Sequence, residues 1–163
     1  MELDYNKDCC ITTERNWFRY RATAIIIENN SILLASNEMS DYFYSVGGGV
    51  HLGETAEEAV LREVFEETGI NYEIDRLIFI HENFFYGDGK ILGLKCHEIA
   101  FYFLMKSKGS QVINCNGMCS EGKEYMTWIP ICELNKHTVY PTFLNEKLKN
   151  MPQQIEHIVT SEL

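Results

Sequence analysis

The chain has 163 residues, of which 45% are hydrophobic and 12% aromatic, with only three prolines, so composition excludes a disordered or fibrous protein and fits one compact domain over residues 1–163. A net charge of −10 excludes the basic footprint that a nucleic-acid polymer needs, while a small anionic substrate requires local neutralisation by a divalent cation or a few placed Arg and Lys residues. The six cysteines form no Cys-x-x-Cys pair, and no charged-then-apolar leader precedes a small-residue cleavage site, so a reduced, cytoplasmic protein is expected. Cys115 and Cys119 have no second pair to complete a zinc site, and no apolar run approaches the ~20 residues of a membrane span.

Residues 1–16 are polar and read as an irregular N-terminal segment. Trp17 to Ile27 alternates and then turns continuously apolar, with Ile25, Ile26 and Ile27 favouring a buried strand. Glu28-Asn29-Asn30-Ser31 is a hairpin signal, followed by a returning strand over Ile32 to Ala35. Tyr42 to Val46 forms a short strand leading into Gly47, Gly48 and Gly49. Further strands are expected at Tyr72 to Asn83, Lys95 to Lys106 and Tyr125 to Ile129, and a closing helix at Thr142 to Leu148, just after Pro141. Strands, helix, strands, helix in that order give an α+β or α/β/α arrangement with a mixed sheet.

The segment from Gly48 to Ile70 carries the chemistry. Thr55 with Glu58 three residues on is a capping box, and Gly69 supplies a left-handed stop, so a helix is expected from about Ala56 to Thr68. At roughly 100° per residue, Val60, Leu61, Val64 and Phe65 share one arc and Glu63, Glu66 and Glu67 another, with Ala56 and Ala59 leaving room beside the carboxylates. Like charges at these spacings repel, so a compensating cation is expected, and hard oxygen ligands suit Mg²⁺ or Mn²⁺ better than zinc. Arg62 can pair with Glu54 across the turn. The glycines allow backbone to approach phosphate or metal. The joint pattern G-x5-E-x7-R-E-apolar-x-E-E-x-G-apolar arises by chance on the order of once in a billion start positions.

That pattern resembles the Nudix box, matched by Gly48, Glu54, Arg62, Glu63, Val64, Glu66, Glu67, Gly69 and Ile70. Trp17 to Ala35 is similar to the family's first hairpin, and Trp128-Ile129-Pro130 with Glu133-Leu134 to its penultimate strand and turn. Val46 departs from the family, whose members commonly carry Pro before the glycines. The resemblance implies an α/β/α sandwich with the box as loop, helix and loop. It also implies Mg²⁺-dependent hydrolysis, with Mn²⁺ as substitute, of a nucleoside diphosphate linked to another moiety, as in ADP-ribose or a nucleotide sugar, or of a nucleoside triphosphate.

By the same resemblance Glu63 and Glu67 are the principal metal ligands, Glu66 a further ligand or base, Glu54 and Arg62 an orienting pair, and the Gly47 carbonyl a metal ligand. Some relatives recruit a Glu outside the box as general base; Glu98, Glu121 and Glu124 are candidates, with Glu124 preferred. Arg21, alternating with Arg19 on one strand face, is a candidate phosphate clamp, and Gly48 and Gly49 offer backbone to substrate. Tyr42 to Tyr44 and Phe84 to Tyr86 supply aromatic rings for a base or ribose, and the glycine-rich stretch Tyr86 to Lys95 is the expected specificity loop. A homodimer is a further expectation from the family. Two competing readings are a nucleotide-sensing domain without turnover and a non-hydrolytic enzyme such as an isopentenyl diphosphate isomerase.

Overall fold

The computed structural model describes residues 7–38, 41–114, 118–119 and 122–163. Their strands are β1 (Cys10–Thr12), β2 (Asn16–Ile25), β3 (Ile27–Glu28), β4 (Ser31–Asn37), β5 (Phe43–Ser45), β6 (Gly47–Gly49), β7 (Ile74–Tyr86), β8 (Lys95–Met105), β9 (Met118–Cys119), β10 (Gly122–Pro130), β11 (Val139–Tyr140) and β12 (Glu156–Ser161). The helices are α1 (Ala56–Thr68) and the short α2 (Leu144–Lys147). One sheet runs β1-β2-β8-β7-β12 with β6 also on β2; the other runs β11-β5-β4-β10-β9 with β3 on β4. Both are mixed, since β2 lies parallel to β8, β12 to β7 and β11 to β5, while the remaining pairs are antiparallel. This is the mixed α/β fold expected.

Among the described residues, two apolar clusters hold the fold. In one, Ala59, Val60 and Val64 of α1 pack with Ala22, Ala24 and Phe103 of the first sheet. In the other, Ile25, Phe79 and Tyr102 meet Leu34 and Ile129 of the second sheet and Leu144 of α2. Each fully buried aliphatic or aromatic side chain contributes about 1.5–3 kcal/mol relative to exposure. Glu28 to Ser31 forms the expected hairpin, and Asn29 and Asn30 both take positive φ, the conformation of a type I′ turn.

Several expectations are corrected. The apolar run through Ile27 is not one strand: β2 ends at Ile25 and β3 belongs to the other sheet, so Ile25 and Ile26 fall into different clusters as the chain crosses. Within residues 1–16, β1 pairs with β2 and Asp8 bridges to His51, whereas residues 1–6 lie outside the described residues. The strand expected from Tyr72 begins at Ile74 and continues to Tyr86, and the helix expected over Thr142 to Leu148 contracts to Leu144–Lys147. Strand β12 was not expected, although His157-Ile158-Val159-Thr160 carries β-branched residues with alternating burial. On α1, Leu61 and Phe65 are 38% and 49% exposed, and Ala56 and Ala59 face the core instead of clearing space beside the carboxylates.

Candidate functional site

Thr55 caps α1 through the reciprocal bonds of a capping box, and Gly69 ends it in the left-handed conformation, as its sequence demands. That fixes where the carboxylates emerge. The preceding loop is pinned by Arg62, which donates from Nε to Glu54 Oε1 at 2.8 Å and from Nη2 to Glu54 Oε2 at 2.9 Å. The same Nη2 reaches the Gly49 carbonyl at 3.1 Å, and Nη1 donates to Glu63 Oε1 at 2.6 Å. Glu54 also accepts the His51 amide at 3.0 Å, so one carboxylate holds loop and helix together. Its pKa is lowered, chiefly by the Arg62 hydrogen bonds. Glu66, by contrast, lies on the exposed side, with Arg62 Nη1 at 3.4 Å.

Strand β6 runs antiparallel to β2, opposing Arg21 to Gly49, Ala22 to Gly48 and Thr23 to Gly47. A Cβ at Gly48 would collide with the Glu63 carboxylate, and Gly47, at φ 136°, donates its amide to Glu67 Oε1 at 3.3 Å. Glu67 Oε2 is buried with no hydrogen-bond partner. Burial, with the charges of Glu124 and Glu63 behind it, pushes the Glu67 carboxyl up to about 9, and burial also raises Glu63 against the pull of Arg62. Glu124, on β10 and 7% exposed, accepts the Tyr44 hydroxyl at 2.5 Å.

Arg21 donates from Nη2 to the carbonyls of Ser45 at 2.9 Å and Gly47 at 3.0 Å, and its Nε is buried without a partner. Glu98, instead of joining the box carboxylates, is held by Arg19 at 3.0 and 2.6 Å. Glu121 and Cys115 lie outside the described residues. Among the expected aromatics, Phe43 packs half-buried against the second cluster and Phe84 stacks on His97, whereas Tyr42, Tyr44 and Tyr140 form an edge-to-face group. Among the contacts that escaped sequence reasoning are the Tyr44 bond to Glu124, and Asp8, whose carboxylate fills the space where a Gly49 side chain would stand. Both span distances in sequence that no local pattern encodes.

Among the described residues, no group of three or more His, Cys, Asp or Glu side chains already stands at metal-holding geometry. Glu63 is turned toward Arg62, and that bond accounts for one of its oxygens. The donor chemistry nevertheless fits a hard cation: a partnerless buried carboxylate oxygen, a second buried carboxyl, a third at Glu124 and a glycine strand that lets the Glu63 carboxylate approach its backbone closely.

A capped acidic helix tied by an Arg–Glu fork to a glycine strand, on a mixed α/β scaffold, defines the class of fold. The chain belongs to the Nudix family: the NUDIX domain model matches residues 18–149. It is 40% identical over 62 residues to an ADP-ribose pyrophosphatase of Methanocaldococcus jannaschii, covering 36% of this chain and 37% of that protein. It is 34% identical over 76 residues to diphosphoinositol polyphosphate phosphohydrolase 2 of Rattus norvegicus, covering 44% and 42%. The matches to these curated relatives thus span less than half of each relative's length. In structure the chain is similar to the MutT protein of Bacillus halodurans, with a TM-score of 0.66 at 20% identity over 88% of this chain and 91% of the other. Among the described residues no helix is long and apolar enough to cross a membrane.

Proposed function

We propose that the protein is a divalent-metal-dependent pyrophosphohydrolase, using Mg²⁺ or in its place Mn²⁺, that cleaves a nucleoside diphosphate linked to another moiety, or a nucleoside triphosphate. The observation that carries this reading is Glu67: a buried carboxyl with one partnerless oxygen, set beside Gly47 and electrostatically coupled to Glu63 and Glu124. Membership of the Nudix family and the ADP-ribose pyrophosphatase and UDP-X diphosphatase among its relatives and neighbours support the substrate class.

In this reading Glu63 and Glu67 hold the cation together with the Gly47 carbonyl, and Glu66 serves as a further ligand or base. A bound divalent ion supplies neutralisation of the diphosphate and a lowered pKa for the attacking water. Glu54 and Arg62 keep the loop fixed on the helix so that the Gly48 and Gly49 backbone meets the phosphates. Arg21 steadies the glycine strand through its carbonyl bonds and offers its unpartnered Nε to a phosphate oxygen. Glu124, oriented through Tyr44, takes the proton of the attacking water.

Free thiols at Cys9, Cys10, Cys96 and Cys132 support a cytoplasmic setting. A homodimer belongs to the same proposal, to be read from the molar mass in light scattering. The reaction is tested with a metal-supplemented panel of ADP-ribose, nucleotide sugars, dinucleoside polyphosphates and nucleoside triphosphates, with products resolved by mass. Release of a nucleoside monophosphate supports the reading; tight nucleotide binding with no product from any member removes it.

A further inference from the structure

Trp17, Arg19 and Arg21 occupy alternate positions on β2 and therefore project from one face of the sheet. Arg21 ends that row at the carbonyl of Gly47, whose amide meets Glu67 of the box, and Trp17 lies about 13 Å further out at ~3.3 Å per residue. That separation matches the reach of a nucleoside diphosphate from its terminal phosphate to its base. The outer half of the row is built: Glu98, directly across on β8, takes both Nε and Nη2 of Arg19 on one oxygen. The Arg19 guanidinium consequently lies over the Trp17 ring, 5.1 Å from its centre, and Phe85 meets Trp17 edge-on at 6.5 Å. A second row leaves the same carboxylates through Glu124, Tyr44 and Tyr42, whose hydroxyl reaches Asp88 at 3.3 Å on the turn that follows Phe85 and Tyr86. One row thus packs on Phe85 and the other bonds Asp88, three residues further on.

We propose that Trp17 and Arg19, with Glu98 as the positioning residue of Arg19, form the subsite that selects the base of a nucleoside diphosphate. This rests on the hydrolase reading above and names its substrate class more narrowly. Arg19 is already neutralised by Glu98, so the platform carries no surplus charge for a cluster of phosphates. Its flat guanidinium and indole suit stacking against an aromatic base, with the remaining Arg19 N–H groups directed at ring acceptors. An inositol polyphosphate, which needs several uncompensated cations, is disfavoured by the same arrangement.

The test measures ADP binding by calorimetry without metal and KM and kcat for ADP-ribose with Mg²⁺, in wild type, Trp17→Ala, Trp17→Tyr, Arg19→Gln and Glu98→Gln. Expected are a roughly tenfold loss of ADP affinity and a matching rise in KM for Trp17→Ala and Arg19→Gln, with kcat within about twofold and recovery in Trp17→Tyr. Glu98→Gln should weaken binding in parallel with Arg19→Gln, and the double variant should lose no more than either alone. If Glu98→Gln fails to fold, the partly exposed Trp17 and Arg19 variants decide alone. Unchanged ADP affinity in those variants, no ADP binding by wild type, or faster turnover of a diphosphoinositol polyphosphate than of ADP-ribose overturns the subsite. Absence of turnover with the ADP pattern intact overturns only the hydrolase reading.

Discussion

Arg62 engages Glu54 as a two-pronged fork, Nε to one carboxylate oxygen and Nη2 to the other, closing the loop between the glycine strand and α1. A lysine cannot reproduce that geometry. Arg62→Lys should therefore cost about 1–3 kcal/mol in urea denaturation and lower turnover by roughly ten- to a hundredfold, because Gly48 and Gly49 lose their fixed position over the helix. Full turnover in a destabilised Arg62→Lys protein would separate the fork from catalysis.

Glu67 sets a pH dependence with a definite sign. Its folded pKa, near 9, is far above the ordinary 4.5, so between those values the folded chain binds more protons than the unfolded one. The metal-free protein should lose stability as pH rises through that window. A divalent cation takes the place of the proton, so its apparent affinity should increase with pH and its binding should release protons. Denaturation in EDTA and in Mg²⁺ across pH 5–9 checks both; parallel curves would contradict the placement of the cation at Glu67.

His81 acts in the opposite direction. It is 1% exposed, and burial depresses its pKa from 6.5 to about 4 despite the nearby charge of Glu98. The unfolded chain takes up a proton first as pH falls, so stability present above pH 6.5 is lost toward pH 4, by about 3 kcal/mol. Its Nε2 meets Thr160 Oγ1 at 2.7 Å, and that hydroxyl donates to Asn83, tying β12 to β7. Measured in EDTA beside wild type, so that the Glu67 contribution is common to both proteins, acid loss should be reduced in a folded His81→Gln variant.

Glu28 shows a carboxylate used purely for structure. It is 1% exposed, and although burial raises its pKa, bonds from Ser107, Lys108 N and Gly109 N at 2.6–2.8 Å outweigh that and bring it down. Glu28→Ala should cost about 3–4 kcal/mol by leaving those donors without their acceptor. A loss below about 1 kcal/mol in denaturant titration would show that water replaces the carboxylate.

Glu28 also marks the limit of what sequence can convey. Its place in a hairpin turn was legible, because Asn29 and Asn30 supply the positive φ that the turn requires. Its partners were not, since they lie some eighty residues further along the chain. The box behaves likewise. Helix limits, capping and the Arg62–Glu54 pair follow from spacing on one continuous segment. Which arc of α1 is buried did not, because a two-sided scaffold exposes Leu61 and Phe65 while pressing Ala59 against the sheet. Strand β12 lacked a flanking turn signal strong enough to announce it, and only its parallel register with β7 reveals the edge it completes.

The most direct measurement is a Mg²⁺ titration of ADP-ribose hydrolysis by wild type and by Glu67→Gln, with calorimetric Mg²⁺ binding to both proteins. Wild type should release AMP in a metal-dependent manner. In Glu67→Gln, turnover should fall by at least about a hundredfold together with weakened Mg²⁺ binding. Near-wild-type turnover and Mg²⁺ affinity in the variant would contradict the assignment of Glu67 as a metal-holding carboxylate.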